Sequence, residues 1–308
     1  MDTDKTTAPV RNWFDLGGRA YARFRPEYPP ELARFLATVA PDTALALDVG
    51  CGNGQLTVQL ATHFEQVLGV DPSVDQLAHA PASPRIAYAC APAEQLPLAD
   101  DSASLITAAQ AAHWFDLPRF FQEVRRVGAP HAAVALISYG MLQLDAELDA
   151  RFSRFYHHEI GPYWPPERQL VDTGYTQLPF PFDELAAPAL AIRQSWKLPQ
   201  LLGYLSTWSA VRRAREAGRE NLLQTFAAEL SLLWGDPARG RKTTAALRVS
   251  SVGEPRGLDH LSRLLSGRVD AGRVAVNAGR HAHQLLHRFG RGRRSGVVIE
   301  VGASAAHG

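Results

Sequence analysis

The residues best placed to do chemistry begin at Asp48, two positions ahead of a broken glycine run, Gly50, Gly52 and Gly54, in "LALDVGCGNGQL". Glycines let a backbone approach a ligand closely, and a helix starting next offers free N–H groups. A dinucleotide fingerprint would need glycine at position 55, where Gln55 stands. A carboxylate beside the loop also repels a pyrophosphate and favours a ligand carrying positive charge. The alternative is that Asp48 only caps a turn.

Three further groups fall in register with the loop. S-adenosylmethionine, with an ammonium and a sulfonium, fits the charge that Asp48 selects. Asp71, in "VLGVDPS", lies about 20 residues past the loop, where an acid at a strand end takes ribose hydroxyls. Alone, Asp71 could instead cap a helix near Val74. Ala93 and Glu94 sit where a loop can close over an adenine, although Glu94 could equally be a solvent-facing acid. Gln110 and His113, in "QAAHWFD", end another strand, and ligands bind outside the carboxyl ends of parallel strands. His113 could act as a base, orient a substrate, or simply pack beside Trp114 and Phe115. Asp100 and Asp101 read as a surface turn.

The elements that must hold these groups alternate. Strands are expected at Leu45–Val49, Gln66–Val70, Arg85–Cys90, Leu105–Ala109 and Ala132–Ser138. Helices are expected at Gln55–His63, Val74–Ala80 and Leu117–Val127. This alternation predicts βαβ units and a parallel sheet covered on both faces. The second half reads as helical over Ala146–His158, Pro199–Ala217 and Glu220–Leu233, with late strands at Ala189–Trp196 and Ala245–Ser250. The organisation expected is an N-terminal lid segment over 1–40, a Rossmann-like core over 41–140, a helical cap with the final strands over 141–250, and a basic Gly/Arg-rich tail of low order over 251–308. Trp164, Tyr163, Trp196 and Trp208 either wall a pocket or fill the core.

Composition sets the outer limits. With 32 Lys and Arg against 31 Asp and Glu, the charge is near zero, so nothing global argues for nucleic acid or a membrane. In the tail, "HRFGRGRRSG" reads as a solvated basic run rather than a nucleic-acid arm, and His281, His283 and His287 lack an acidic partner for a metal. Cys51 and Cys90 form no metal spacing, so no metal is expected and a cytoplasmic location fits. The N-terminus shows no apolar signal segment, and apolar runs such as Ala132–Ile137 are too short to span a membrane.

Taken together these residues resemble a class I S-adenosylmethionine-dependent methyltransferase with a type 11 domain, and in particular its trans-aconitate methyltransferase-like group. "LDVGCGNGQLT", "GVDPSVDQL" and "AEQLPLADDSASLITAAQAAHWFD" resemble its successive motifs, "YARFRPEYPPEL" its N-terminal signature and "YLSTWSAVRRA" its late helical segment. The resemblance implies a seven-stranded sheet with the last strand antiparallel, helices on both faces and a helical cap. It implies S-adenosyl-L-methionine as cofactor. It places Asp48, Gly50, Gly52 and Gly54 by the methionine, Asp71 and Pro72 by the ribose, and Ala93 and Glu94 by the adenine. It puts Gln110 and His113 beneath the methyl group and Tyr21 and Arg25 on a lid, where Arg25 could pair with the methionine carboxylate or an acidic substrate. It implies a small-molecule acceptor methylated on oxygen, in a monomer or homodimer. The rivals are a non-catalytic or degenerate S-adenosylmethionine-binding protein and an NAD-dependent oxidoreductase. The chain departs from the family pattern in running on for about sixty residues past the expected last strand, as a private extension or through a changed reading frame.

Overall fold

Alternate residues of the central strands belong to two different cores. Ala46, Leu105, Ala133, Ala135 and Ile137 pack into one; Leu47, Val49, Ile106, Val134 and Leu136 pack into the other. Successive side chains of a strand point to opposite faces, so a strand that is apolar at every position is buried on both. The computed structural model describes residues 24–254 and 298–299. Tyr21, the rest of the first 23 residues and most of the expected tail, including His281, His283 and His287, lie outside the described residues.

The sheet is built from β1 (Leu45–Val49), β2 (Gln66–Asp71), β3 (Ile86–Cys90), β4 (Ala103–Ala109) and β5 (Gly128–Tyr139), all parallel, in the order β3-β2-β1-β4-β5. The two-residue β6 (Asp183–Glu184) and the longer β7 (Leu190–Trp196) both pair antiparallel with β8 (Arg241–Glu254), which runs antiparallel to β5. A two-residue β9 (Val298–Ile299) edges β3. Apart from the two-residue β6 and β9, seven strands carry the sheet, and the late β8 beside β5 is reversed, as expected. β8 continues through Glu254, past the point near Ser251 where the composition turns Gly- and Arg-rich, because β5 pairs with it as far as Gly253 and β6 pairs with Gly253 and Glu254.

Order reversal between β1→β2 and β1→β4 opens the crevice where ligands bind in such sheets. Around it lie α1 (Pro30–Val39), α2 (Gln55–Leu60), α3 (Val74–Leu77) and α4 (Leu117–Val127). Three of the four starts have a cause in a side chain: Pro at the first turn of α1 and α4, Ser73 accepting from the Gln76 N–H at α3, and Asp116 accepting from the Arg119 N–H at α4. α2 and α3 end earlier than periodicity suggests, at Leu60 and Leu77.

The cap comprises α5 (Ala146–Arg154), α6 (Arg168–Asp172), α7 (Leu198–Ser206), α8 (Ser209–Glu216) and α9 (Asn221–Trp234). The helix expected to reach His158 instead passes into a π-turn at Phe155–Glu159, which turns Tyr156 inward. The single long helix expected over 199–217 is two helices, broken at Thr207 and Trp208. That break lets Trp208 leave the helix line and pack against Phe152, Tyr156, Trp164 and Tyr204.

Candidate active site

The glycine loop joins β1 to α2 with left-handed backbone at Gly50, Gly52 and Gly54. At two positions a side chain is also excluded by space: a Cβ on Gly50 would lie 2.4 Å from the Ala111 Cβ, and one on Gly54 would lie 2.3 Å from the Tyr88 hydroxyl. The glycines thus serve packing against β3 and the β4 loop as well as access to a ligand.

Asp48 lies beneath this loop. It is 1% exposed, and its two oxygens accept from the hydroxyls of Thr57 (2.7 Å) and Thr107 (2.9 Å). Burial raises its carboxyl from the ordinary 3.8 to about 6, against the pull of those two hydroxyls and with a smaller push from Asp71. Asp48 is therefore a turn cap in neither position nor contacts. It is a charge stored in the floor of the crevice.

Asp71 ends β2 and is no helix cap, since Ser73 holds that position. One oxygen accepts from the Gly52 N–H and the other from the Ser73 N–H, both at 2.8 Å. It thereby ties the glycine loop to the end of β2. Asn53 Oδ1 is buried in the same loop with no hydrogen-bond partner among the described residues. An orphaned acceptor, a buried carboxylate below and a second carboxylate beside it form a donor-poor cradle. That chemistry suits S-adenosyl-L-methionine, whose ammonium, sulfonium and ribose hydroxyls would each meet an acceptor or a negative charge.

The loop after β3 is held from two sides. Glu94, half-buried, accepts from the Asp116 N–H at 2.8 Å and so braces the start of α4, and Ala93 beside it is buried. Farther along, Glu123 accepts from the Leu96 N–H while Arg126 donates to the carbonyls of Leu96 and Leu98 and pairs with Asp100. The Arg126 side chain lowers the Glu123 carboxyl. Asp100 and Asp101 do form the surface turn expected of them. Pro72 is exposed at the end of β2, and its carbonyl accepts from the Cys90 thiol.

Beyond the glycine loop a pocket opens between the sheet and the cap. It is lined on the sheet side by Arg25, Gln110, His113 and Trp114, and on the cap side by Trp164, Pro165, Arg168, Trp208 and Ser209. Gln110 reaches it through a left-handed backbone (φ 55°), with its side-chain amide donating to the Tyr139 carbonyl at 2.6 Å. Arg25 donates to the Tyr139 hydroxyl and lies over the Tyr204 ring. Its own carbonyl accepts from Gln55, and that of Tyr28 from Gln59, so the Arg-Pro-Glu-Tyr segment docks on α2 directly behind the glycine loop.

Arg168, Tyr156 and Tyr175 were not legible as site residues. Arg168 is stacked 4.6 Å from the Trp164 ring centroid, and its Nε donates to the Tyr156 hydroxyl and to Asp172, each at 3.0 Å. His113 Nδ1 lies 2.8 Å from the Tyr175 hydroxyl. Burial, with Arg168 and Arg25 adding to it, drives the imidazole pKa down to about 3, so the ring is neutral. Of the four candidate wall aromatics, Trp164 and Trp208 line the pocket, whereas Trp196 and Tyr163 pack with the core. Among the described residues no helix is long and apolar enough to cross a membrane, and no group of three His, Cys, Asp or Glu could hold a metal.

Comparison with known proteins agrees with this geometry. A family model described as a methyltransferase domain matches residues 47–136, from the middle of β1 into β5. A Dictyostelium discoideum protein described as a methyltransferase is 34% identical over 209 residues, covering 67% of this chain and 80% of that one. A Saccharomyces cerevisiae protein described as S-adenosylmethionine-dependent is 32% identical over 116 residues, 35% of this chain and 40% of its own. A solved structure from Anaeromyxobacter dehalogenans, described as a type II methyltransferase, superposes with a TM-score of 0.70 at 45% identity over 76% of this chain and all of that one. With its reversed late strand, its donor-poor cradle and these relatives, the chain belongs to the class I S-adenosyl-L-methionine-dependent methyltransferases.

Proposed function

We propose that the methyl acceptor is a small molecule methylated on oxygen, carboxylate or hydroxyl, seated in the pocket between Gln110 and His113 below and Trp164, Arg168 and Trp208 above. The observation that carries this reading is the charge of the pocket: two guanidinium groups, Arg25 and Arg168, stand around an imidazole that stays neutral. An ammonium acceptor would enter against two like charges, and an imidazole of such low basicity is a poor acceptor for its proton. An anionic oxygen needs no base and meets complementary charge.

In the same proposal the cofactor is held by Asp48, Gly50, Gly52 and Gly54 on the methionine side, by Asp71 and Pro72 at the ribose, and by Ala93 and Glu94 at the adenine. Tyr21 and Arg25 belong to the lid. The bound cofactor supplies an activated methyl group on a sulfonium. What the chain contributes is placement and exclusion of water: Gln110, fixed by Tyr139, and His113 set the floor, and the Trp164–Trp208 wall covers it. His113 is the proposed catalytic residue, orienting the acceptor oxygen. A cytoplasmic location is part of the same reading.

The test is transfer from methyl-labelled S-adenosylmethionine across a panel of carboxylic acids, phenols and primary amines. Label is expected in the oxygen acceptors. Transfer to amines alone would overturn the proposal.

A further inference from the structure

Tyr175 occupies an unfavourable place for a tyrosine. It follows Gly174 just past α6, its φ is 60°, and it is 2% exposed within the core under the sheet. A side chain in the left-handed region is strained. What this conformation achieves is to bring the hydroxyl to His113, 62 residues earlier, at 2.8 Å from Nδ1. His113 is fixed from its other side by Trp114, whose ring centroid is 4.8 Å away.

The direction of the hydrogen bond follows from counting donors. The Tyr175 hydroxyl is buried with one hydrogen to place, and among the described residues its hydrogen-bond partner is His113 Nδ1. If Nδ1 carried the proton, the phenol oxygen would accept and its own buried hydrogen would be left without a partner, a costly arrangement. If the hydroxyl donates to Nδ1, both its hydrogen and Nδ1 are satisfied.

We propose that Tyr175 is a positioning residue that fixes His113 in its Nε2–H tautomer, so that the imidazole presents a hydrogen-bond donor, not a base, to the pocket floor. The burial of the Tyr175 phenol, which raises its pKa, keeps the donating proton in place. Arg25 and Arg168, facing the ring from the N-terminal segment and from α6, oppose a second proton. A fixed N–H beside two guanidinium groups offers only donors, which matches an acceptor oxygen with lone pairs. This inference rests on the proposed acceptor pocket for its meaning, but its test does not.

The experiment is a long-range proton–nitrogen correlation spectrum of protein labelled with ring-¹⁵N histidine, near neutral pH. His113 is assigned as the signal lost in His113→Gln. In the wild-type protein Nε2 is expected at the shift of a protonated nitrogen and Nδ1 at that of a bare one. Tyr175→Phe is expected to move both toward the averaged values of a free imidazole. A wild-type spectrum with the proton on Nδ1 overturns the proposal, as does a Tyr175→Phe spectrum unchanged from wild type. If Tyr175→Phe does not fold, the wild-type spectrum decides alone. Calorimetry with S-adenosylmethionine on the same samples separates the two questions: lost cofactor binding speaks against the enzyme's proposed function and leaves the tautomer result standing.

Discussion

Asp48→Asn tests whether the fold gives up stability to store a negative charge under the cofactor loop. In the folded chain burial raises the Asp48 carboxyl from 3.8 to about 6. At about 1.36 kcal/mol per tenfold change in proton affinity, holding it ionised costs the folded state about 3 kcal/mol. The sign follows from proton counting. Between the unfolded and folded values the native state binds the extra proton, so this group's contribution to stability falls as pH rises from about 4 to about 6 and stays low above that. Asn removes the titration. One of the two hydroxyls, Thr57 or Thr107, must then accept from the new amide instead of donating to a carboxylate, which costs about 1 kcal/mol. Without ligand, Asp48→Asn is therefore expected to be more stable than wild type by about 2 kcal/mol near pH 7.5, with the gap closing and reversing toward pH 4. Urea denaturation of both proteins across that range reads the difference, in which all other titrating groups cancel. A gap that does not change with pH, or a variant less stable than wild type near pH 7.5, refutes the reasoning. The same variant is expected to bind the cationic cofactor more weakly, in calorimetry.

Other substitutions probe the supports of the site. Gly54→Ala sets a Cβ 2.3 Å from the Tyr88 hydroxyl at a φ of 83°, and is expected to cost about 2 kcal/mol in urea melts and to weaken cofactor binding; adding Tyr88→Phe should recover part of that loss. Gly203→Ala places a methyl 2.4 Å from the Phe24 ring, and is expected to destabilise by about 1–3 kcal/mol while displacing the segment that carries Arg25, read as lowered cofactor affinity. Arg168→Met leaves Tyr156 donating to Asp172 at 2.7 Å but removes the guanidinium that pairs with that carboxylate and stacks on Trp164, so stability is expected to fall by about 1–3 kcal/mol. Its methyl transfer to oxygen acceptors should fall about tenfold or more with unchanged cofactor affinity, since only the pocket loses a charge.

The parallel core was legible because its strands, apolar on both faces, stand between clear glycine and proline breaks; β1 runs from Leu45 to Val49 as its pattern alone indicates. The loop acids stood out by their spacing, and the structure sets Asp48 and Asp71 against the glycine loop and its helix. Three matters were not. The partners of Asp48, Thr57 and Thr107, look like ordinary helix and strand residues until a neighbouring strand sets them beside the carboxylate. The break at Trp208 carries no proline or glycine; tertiary packing of its ring overrides local helix preference. Tyr175 and Arg168 come from a loop-rich stretch with no periodicity, and the meeting of Tyr175 with His113 depends on how the cap folds back over the sheet. A left-handed tyrosine directly after a glycine was the one local signal available, and it is ambiguous in a sequence.

The claim on which the account rests is that the carboxylate ending β2 is both the brace of the glycine loop and a holder of the cofactor. Calorimetric titration of wild type and Asp71→Ala with S-adenosylmethionine tests it most directly. The account predicts one binding event per wild-type chain and a loss of about 100-fold in affinity in the variant, the equivalent of about 3 kcal/mol for two charge-assisted hydrogen bonds. Equal affinities in the two proteins, or a wild-type chain that ignores this cofactor, would contradict it.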